Sequence, residues 1–418
     1  MDNKYLCLFC QDVVGGTEIE GHKNRHHKPL GHYGFMWPLS VSKIPSRDLW
    51  DVPTYESSIL AEALGVGKVY IRDEGQNFSG SMKDYSVERA VMLGLQDGFG
   101  LFFVVSSGNH AVSLAKYAKK NGAGAVVFAP ASSSKLAFLS SLPDVLAVGV
   151  EGAIFEDVYT LVADMSFEEI YNANVSNELL LPGFCPVANQ VVESGLSPDY
   201  VIAGVGNGSY LAGFVLGFDQ LSLPMPRIIP VGMQGAFPTE RAFAEEVLVR
   251  EYDDFLVMES TIDAAEGSIA IASYSMPQLI QAIRLSDGFP LGGLTNQDLR
   301  EAYLLLSKDD NLIEKGVIPE PTGIMGLGAA IKHQRRFGSS DTLLIAFTGH
   351  GVKDVCGIRR LVPEISDRLI ESARSSRPDL ITNNENDVGG VIFVDKGISV
   401  AELKDRIITR TERMVVDD

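Results

Sequence analysis

Cysteine is scarce in this sequence: Cys7, Cys10, Cys185 and Cys356 are the four among 418 residues. So few thiols exclude a disulfide framework and suit a reducing compartment. No apolar run approaches the roughly 18–20 residues needed to cross a bilayer. The opening Met1-Asp2-Asn3-Lys4-Tyr5 leads into cysteines and a His-rich polar stretch, without the apolar centre of a signal peptide. The expected location is therefore cytoplasmic. Positive charge is also in short supply, with 35 Lys and Arg against 54 Asp and Glu and a formal net charge of -19. So acidic a surface repels phosphate backbones and anionic lipid, and neither nucleic acid nor membrane is an expected partner. A small anionic substrate remains compatible, because a pocket can be positive on an acidic protein. Internal repeats and low-complexity tracts are absent.

What is present reads as a globular chain, with 45% hydrophobic and 21% charged residues. Its length is too great for one hydrophobic core, so two principal domains are expected. Residues 1–50 are Gly- and His-rich and read as irregular. From about Thr54 strands and helices alternate. A short helix is expected over Ile59–Leu64, closed by Gly65, then a strand at Val69–Ile71 and a helix over Lys83–Leu95. Strands at Leu101–Val105, Ala125–Phe128 and Val145–Val148 flank helices after Asn109 and over Lys135–Ser141. Further strands are expected at Tyr200–Ala203, Ile228–Val231 and Leu343–Phe347. Such alternation implies parallel sheets flanked by helices, an α/β fold with right-handed crossovers. The expected core spans 51–360, with a smaller subdomain of approximately 86–185 inserted in a larger one. Residues 361–418 form a tail: Arg374–Asn386 reads as a polar linker, and Val391–Val394 and Val400–Ile408 as a strand and a helix of a docking element.

Ligands of open α/β sheets sit at the carboxyl ends of strands, and unusual loops stand there. Gly204-Val205-Gly206-Asn207-Gly208-Ser209 ends a strand and opens an apolar helix. Alternating glycines let backbone N–H groups converge on an anion, and the helix N-terminus adds partial positive charge. No Gly-Lys-Ser/Thr follows, so this is no Walker loop, and Asp219 comes too early for a dinucleotide fingerprint. In Ser79-Gly80-Ser81-Met82-Lys83-Asp84 a lysine stands at the start of a helix, where cations are disfavoured. The positive helix end lowers the pKa of its amine, which suits Schiff-base chemistry.

Four loops together resemble the fold-type II pyridoxal 5′-phosphate (PLP) enzymes, and threonine synthases in particular. Ser-Gly-Ser-Met-Lys-Asp resembles the lysine motif, and Ser106-Ser107-Gly108-Asn109-His110-Ala111 the asparagine loop. Gly204-Val205-Gly206-Asn207-Gly208 resembles the phosphate loop, and Thr348-Gly349-His350-Gly351-Val352-Lys353-Asp354 the loop near the ring nitrogen; Glu320-Pro321-Thr322-Gly323 matches a further segment. The resemblance covers about Pro53 to Asp354. It implies the two-domain, tryptophan synthase β-like fold, PLP bound through Lys83, a small amino-acid substrate and a homodimer. Carried over residue by residue, it implies that Lys83 is the catalytic acid and base. Asn109 would meet the phenolic oxygen of PLP, Gly204–Ser209 its phosphate and Thr348 its ring nitrogen. Ser81, Ser106, Ser107, Gly108 and His110 would be candidates for binding the substrate. A hydroxyl at Thr348 is a weaker partner for the ring than a carboxylate, which favours elimination or replacement at the β- or γ-carbon over transamination.

The sequence departs from threonine synthases near the substrate. Tyr85 follows Lys83-Asp84 where arginine is usual, and Asn174-Val175-Ser176-Asn177-Glu178-Leu179 lacks the arginine of the usual Asn-Pro-Tyr-Arg segment. His110-Ala111 is closer to serine/threonine dehydratases. The expected reaction is elimination or replacement on an O-phosphorylated or otherwise O-activated amino acid. The alternatives are a dehydratase-like deaminase, a cysteate-synthase-like β-replacement enzyme, or a catalytically silent amino-acid-binding paralogue. Cys7 and Cys10 have zinc-knuckle spacing, and His22, His26 and His27 follow. Many relatives carry an N-terminal ribbon with two cysteine pairs. With one pair here, a degenerate ribbon without zinc is the expectation.

Overall fold

The computed structural model describes residues 3–19, 21–22, 35–40, 52–106, 108–133, 136, 139, 142, 144–163, 169–246, 264–268, 273–381 and 390–416. Two compact units divide the chain: Met1–Met82 with Phe184–Ile381, and Lys83–Gly183 with Thr382–Asp418. The smaller unit is thus an insertion in the larger, joined by the C-terminal segment.

Two sheets belong to the larger unit. The N-terminal stretch, expected to be irregular, contributes an antiparallel sheet of β1 (Lys4–Cys7), β2 (Val13–Gly15) and β3 (Met36–Ser40) in the order β2-β1-β3. Tyr5, Phe35, Met36 and Trp37 are buried there, so apolar side chains hidden among the histidines drive its folding. The main sheet combines β4 (Thr54–Glu56), β5 (Lys68–Asp73), β10 (Tyr200–Gly204), β11 (Arg227–Met233), β12 (Leu291–Leu294) and β13 (Thr342–Phe347). Its order is β12-β11-β10-β13-β5-β4, and only the edge strand β4 runs antiparallel. Ile71, Ile202, Val231, Ile345 and Phe347 form its interior with Met325 and Leu327. Strands covered on both faces need such continuous apolar runs. The helix Ser58–Leu64 follows its sequence signals: the Ser57 hydroxyl accepts the Leu60 N–H at 3.1 Å, and Gly65 closes it at φ 69°.

The smaller unit holds β6 (Leu101–Val105), β7 (Gly124–Pro130), β8 (Val145–Glu151), β9 (Tyr171–Asn172) and β14 (Gly390–Asp395), all parallel, in the order β14-β8-β7-β6-β9. The C-terminal strand therefore extends a sheet, where a docking element was expected. Val394, with Leu403 and Ile407 of the helix Val400–Val416, joins the core around Val126, Phe128, Leu146 and Val148. Residues 361–381 instead belong to the larger unit. Leu369, Ile370 and Ala373 of the helix Ser366–Ser376 are buried in its core, and Pro378–Leu380 forms a short turn after it. The helix expected over Lys135–Ser141 and the second half of the expected linker fall mostly outside the described residues. No helix among the described residues is long and apolar enough to cross a membrane.

Candidate active site

In the larger unit, β5, β13 and β10 are parallel neighbours. Phe347 pairs with Asp73, and Ala346 with Ala203. Their carboxyl ends consequently release three loops at one edge: 74–82, 348–351 and 204–209. The first two are stitched together by their backbones. Ser81 and Gly349 form an antiparallel bridge, Met82 N–H donates to Thr348 O at 3.0 Å, and His350 N–H to Gly80 O at 2.9 Å. The segment carrying Glu320 joins them, its N–H bonding Gly349 O at 2.9 Å. Ser81 and Thr348 are both buried, and the Ser81 hydroxyl has no hydrogen-bond partner among the described residues. An unsatisfied buried hydroxyl costs about 1–3 kcal/mol, which marks a place where a ligand supplies the missing bond.

The glycine loop is shaped by close approaches. A Cβ on Gly204 would lie 2.7 Å from Thr322 O, and one on Gly206 would lie 3.1 Å from Gly267 O. Gly208 has φ 89°, and its Cβ would lie 2.5 Å from Leu279. Gly208 caps the helix Ser209–Leu221 without any side-chain hydrogen bond, leaving that helix N-terminus available to an anion. Val205 is buried, its N–H bonded to Val231 O. The polar side chains of the loop face a second segment. Asn207 Oδ1 accepts the Tyr274 N–H at 2.8 Å, Ser209 Oγ lies 2.9 Å from Ser275 Oγ, and Ser273 Oγ donates to Gly206 O and Asn207 O. The loop's polar side chains are thus spent on that segment. Ser273 and Ser275 carry no sequence signal beyond a Ser-Tyr-Ser stretch before a helix.

Behind the loop 74–82 stand two cations: Lys353, which the Thr348–Asp354 motif contains, and Arg377, which no motif includes. Lys353 Nζ donates to Gly80 O at 2.6 Å and Ser79 O at 3.3 Å. Arg377, buried, donates to Gly75 O, Asn77 O and Phe78 O and pairs with Asp379. Glu74 ties the same loop inward. It pairs with buried Arg72 at 2.6 Å and accepts from Tyr210 Oη at 2.7 Å and Asn77 Nδ2 at 2.6 Å. Burial pushes the Asp73 carboxyl up to about 6, against bonds from Gln76 and the Gly75 N–H that favour its charge. His350 is buried and its pKa is lowered to about 3, first by burial and then by the Lys353 and Arg377 charges. Its Nδ1 accepts the Val352 N–H, and Nε2 lies 3.3 Å from Ser376 Oγ.

In the smaller unit, Lys83 opens the helix Lys83–Gln96, and Asn109 opens the helix Asn109–Lys120 at the carboxyl end of β6. Asp84, buried, accepts from Ser113 Oγ at 2.6 Å, coupling the two helices. Ser106 Oγ accepts the Gly108 N–H at 3.2 Å and thereby shapes the asparagine loop. Ser107 and His26 lie outside the described residues. His110 is buried and its Nε2–H donates to Ala173 O at 2.8 Å. Burial and then the nearby Lys83 charge lower its pKa to about 3. It is therefore a neutral imidazole turned to the main chain, not a cation waiting for a carboxylate. The structure thus groups Ser81, Thr348 and Gly204–Ser209 in one unit, and Lys83, Ser106, Gly108, Asn109 and His110 in the other.

An orphaned hydroxyl, a loop whose three glycine positions leave little or no room for a side chain and a lysine at a helix start fit a phosphorylated aldehyde cofactor. Comparison with known proteins points the same way. The chain is 26% identical to the threonine synthase of Methanocaldococcus jannaschii over 78% of its length and 82% of that protein. It is 24% identical to that of Methanosarcina acetivorans over 84% and 88%. Among solved structures, the processed form of threonine deaminase isoform 2 from Solanum lycopersicum superposes with a TM-score of 0.61 at 19% identity, over 75% of this chain and 83% of that one, a likeness of fold. Residues 46–349 match the family described as pyridoxal-phosphate dependent enzyme, and with most of its length inside that match the chain belongs to this family of fold-type II enzymes and uses pyridoxal phosphate.

Proposed function

We propose that the chain holds pyridoxal phosphate on Lys83, removes a leaving group from a small O-activated amino acid, foremost an O-phosphorylated one, and replaces it with water or another nucleophile. The observation that carries this reading is the shared carboxyl edge of β5, β13 and β10, whose first loop runs directly into Lys83. When bound, the cofactor supplies an electron-withdrawing ring that loosens bonds at the substrate α-carbon. The chain's own residues do the rest. Within the Gly204–Ser209 loop, the backbone N–H groups of residues 206–209 bind the cofactor phosphate, and the Thr348 hydroxyl and Asn109 orient its ring. Ser81, Ser106, Ser107 and the Gly108 N–H receive the substrate carboxylate, and Lys83 moves protons. His110, its pKa lowered to about 3, bonds Ala173 O and positions the main chain there. The overall change balances as hydrolysis with relocation: one C–O bond breaks, another forms, and no oxidant is required.

The test is a panel of O-phospho, O-acyl and free hydroxy amino acids assayed for phosphate, ammonia and keto acid. Phosphate release with threonine formed supports the reading, and ammonia with a keto acid overturns it in favour of a dehydratase. That second reading is supported by His110-Ala111 and by the likeness to a threonine deaminase fold. A Lys83-dependent visible band with no turnover on any member would identify a silent amino-acid binder. The same family reading carries a cytoplasmic homodimer, which light scattering tests.

A further inference from the structure

The N-terminal sheet gathers three metal-ligating side chains that the reaction does not use. The turn after β1 is tightly closed. Cys7 N–H donates to Asp12 O and Gln11 N–H to Cys7 O, both at 2.8 Å, and Gln11 takes the left-handed φ of 66°. This turn brings Cys10 back over Cys7, and His22, which with Ile19 and Gly21 is helical, lies near both. The Cys7, Cys10 and His22 ligand atoms all lie within 4.8 Å of one another, with Cys10 Sγ 3.4 Å from His22 Nε2. A tetrahedral ion with Zn–S of about 2.3 Å and Zn–N of about 2.05 Å requires S···N edges of about 3.6 Å and S···S edges of about 3.8 Å. The cluster is therefore already near the size of a tetrahedral face. Cys7 and His22 are 0% and 3% exposed, so the ligands face one another and not solvent. Cys10 is half-buried.

We infer that Cys7, Cys10 and His22 bind one zinc ion, completed by water or another small donor, as a structural site separate from the catalytic residues. Two thiolates cancel the charge of the dication, so its burial carries no net charge, and neutral imidazole completes the soft donor set that zinc favours. The count of cysteine pairs, on which the expectation of no zinc rested, misses a third ligand supplied by histidine. The ion would lock the β1–β2 turn to the helical turn after β2. From there β3 reaches the helix Met276–Leu285, where Gln278 Nε2 donates to Met36 O at 2.9 Å.

Full-length holoenzyme, purified under reductant without chelator and reconstituted with excess zinc before desalting, is expected to carry about one zinc per chain by mass spectrometry. Cys10→Ala should lose it and Cys10→His, which keeps a ligand, should retain it, while the visible cofactor band reports that both variants are folded. On the unaltered protein, chelation should release zinc and make Cys7 and Cys10 alkylatable together, as read by peptide mapping. Zinc far below one equivalent after reconstitution, zinc unchanged in Cys10→Ala, or a Cys7–Cys10 disulfide in the reduced preparation would each overturn the proposal. Because the cofactor band is read separately, failure here leaves the reading of Lys83 intact, and the reverse also holds.

Discussion

Arg377 is predicted to be the side chain that presents the lysine loop, and its removal provides the sharpest check on the architecture. Its guanidinium donates to three carbonyls, Gly75 O, Asn77 O and Phe78 O, the last two at 2.9 and 3.3 Å, and it is 7% exposed. Hydrogen bonds to a charged donor are worth about 1.5–3 kcal/mol each. The Phe78 contact is long, and only two bonds count fully, giving about 3–6 kcal/mol before water enters. Water reaching Asp379, which is half exposed, recovers part of that. Arg377→Met keeps the aliphatic stem and removes the fork, and a net loss of about 2–4 kcal/mol is expected. At roughly 2 °C per kcal/mol for a domain of this size, Tm falls by about 4–8 °C. Cofactor affinity should fall about tenfold or more, because loop 75–82 ends one residue before Lys83. Arg377→Lys should restore little, since an ammonium cannot reproduce the planar fork. The assays are thermal unfolding of the apo chain and titration of the visible band. A Met variant within 1 °C and twofold of the parent would refute the reasoning.

The remaining predictions concern single groups. Ser81→Ala removes the buried hydroxyl that has no partner among the described residues, so the apo chain should gain about 1 kcal/mol by denaturant titration, while KM for the amino acid rises several-fold. Gly208→Ala forces a side chain into φ 89° and to 2.5 Å from Leu279. It should destabilise the chain by about 2 kcal/mol and weaken cofactor binding at least tenfold by absorbance titration. Asp73 has a folded pKa of about 6, above the ordinary 3.8, so the folded chain holds the extra proton between those values. Its contribution is greatest below pH 4 and is lost as pH rises through 6, a loss on the order of 2–3 kcal/mol. Asp73→Asn should therefore lie closer to the parent at pH 4 than at pH 7.5, and a gap that shrinks as pH rises would contradict the assignment.

Legibility in the sequence follows the range of the interaction. The strands at Leu101–Val105 and Leu343–Phe347 and the helix end at Gly65 are short-range patterns, and they stand where composition and spacing put them; the four loop motifs are legible through the family resemblance. Arg377 acts on a carbonyl 300 residues away, and one arginine in Ser-Ser-Arg-Pro-Asp has no period to betray it. Only the Pro378 that ends the preceding helix hints at a turn there. Ser273 and Ser275 escape for the same reason, since their partners lie 66–67 residues off. The N-terminal sheet was obscured because its strands are only three to five residues long and its apolar side chains are interspersed with glycines and histidines. For His110 the residue type was right for a substrate ligand, yet burial, which no local pattern reports, makes it neutral.

Of the departures from threonine synthases, the one at residues 174–179 has a visible structural consequence. In the segment that lacks the usual arginine, Asn174 accepts the Val105 N–H at 2.7 Å and donates to Asn172 Oδ1 at 2.9 Å. Asn177 donates to Asn172 O at 2.8 Å and accepts the Leu179 N–H at 3.1 Å. Arg89 reaches the same segment, but its Nε–H is committed to Leu179 O. Much of the segment's hydrogen-bonding capacity thus holds its own shape. A phosphorylated substrate would therefore need a cation from elsewhere, whereas a neutral O-acyl ester needs none. The two forms of the proposed reaction separate on this point: inorganic phosphate should compete with a phosphorylated substrate and leave turnover of a neutral ester untouched.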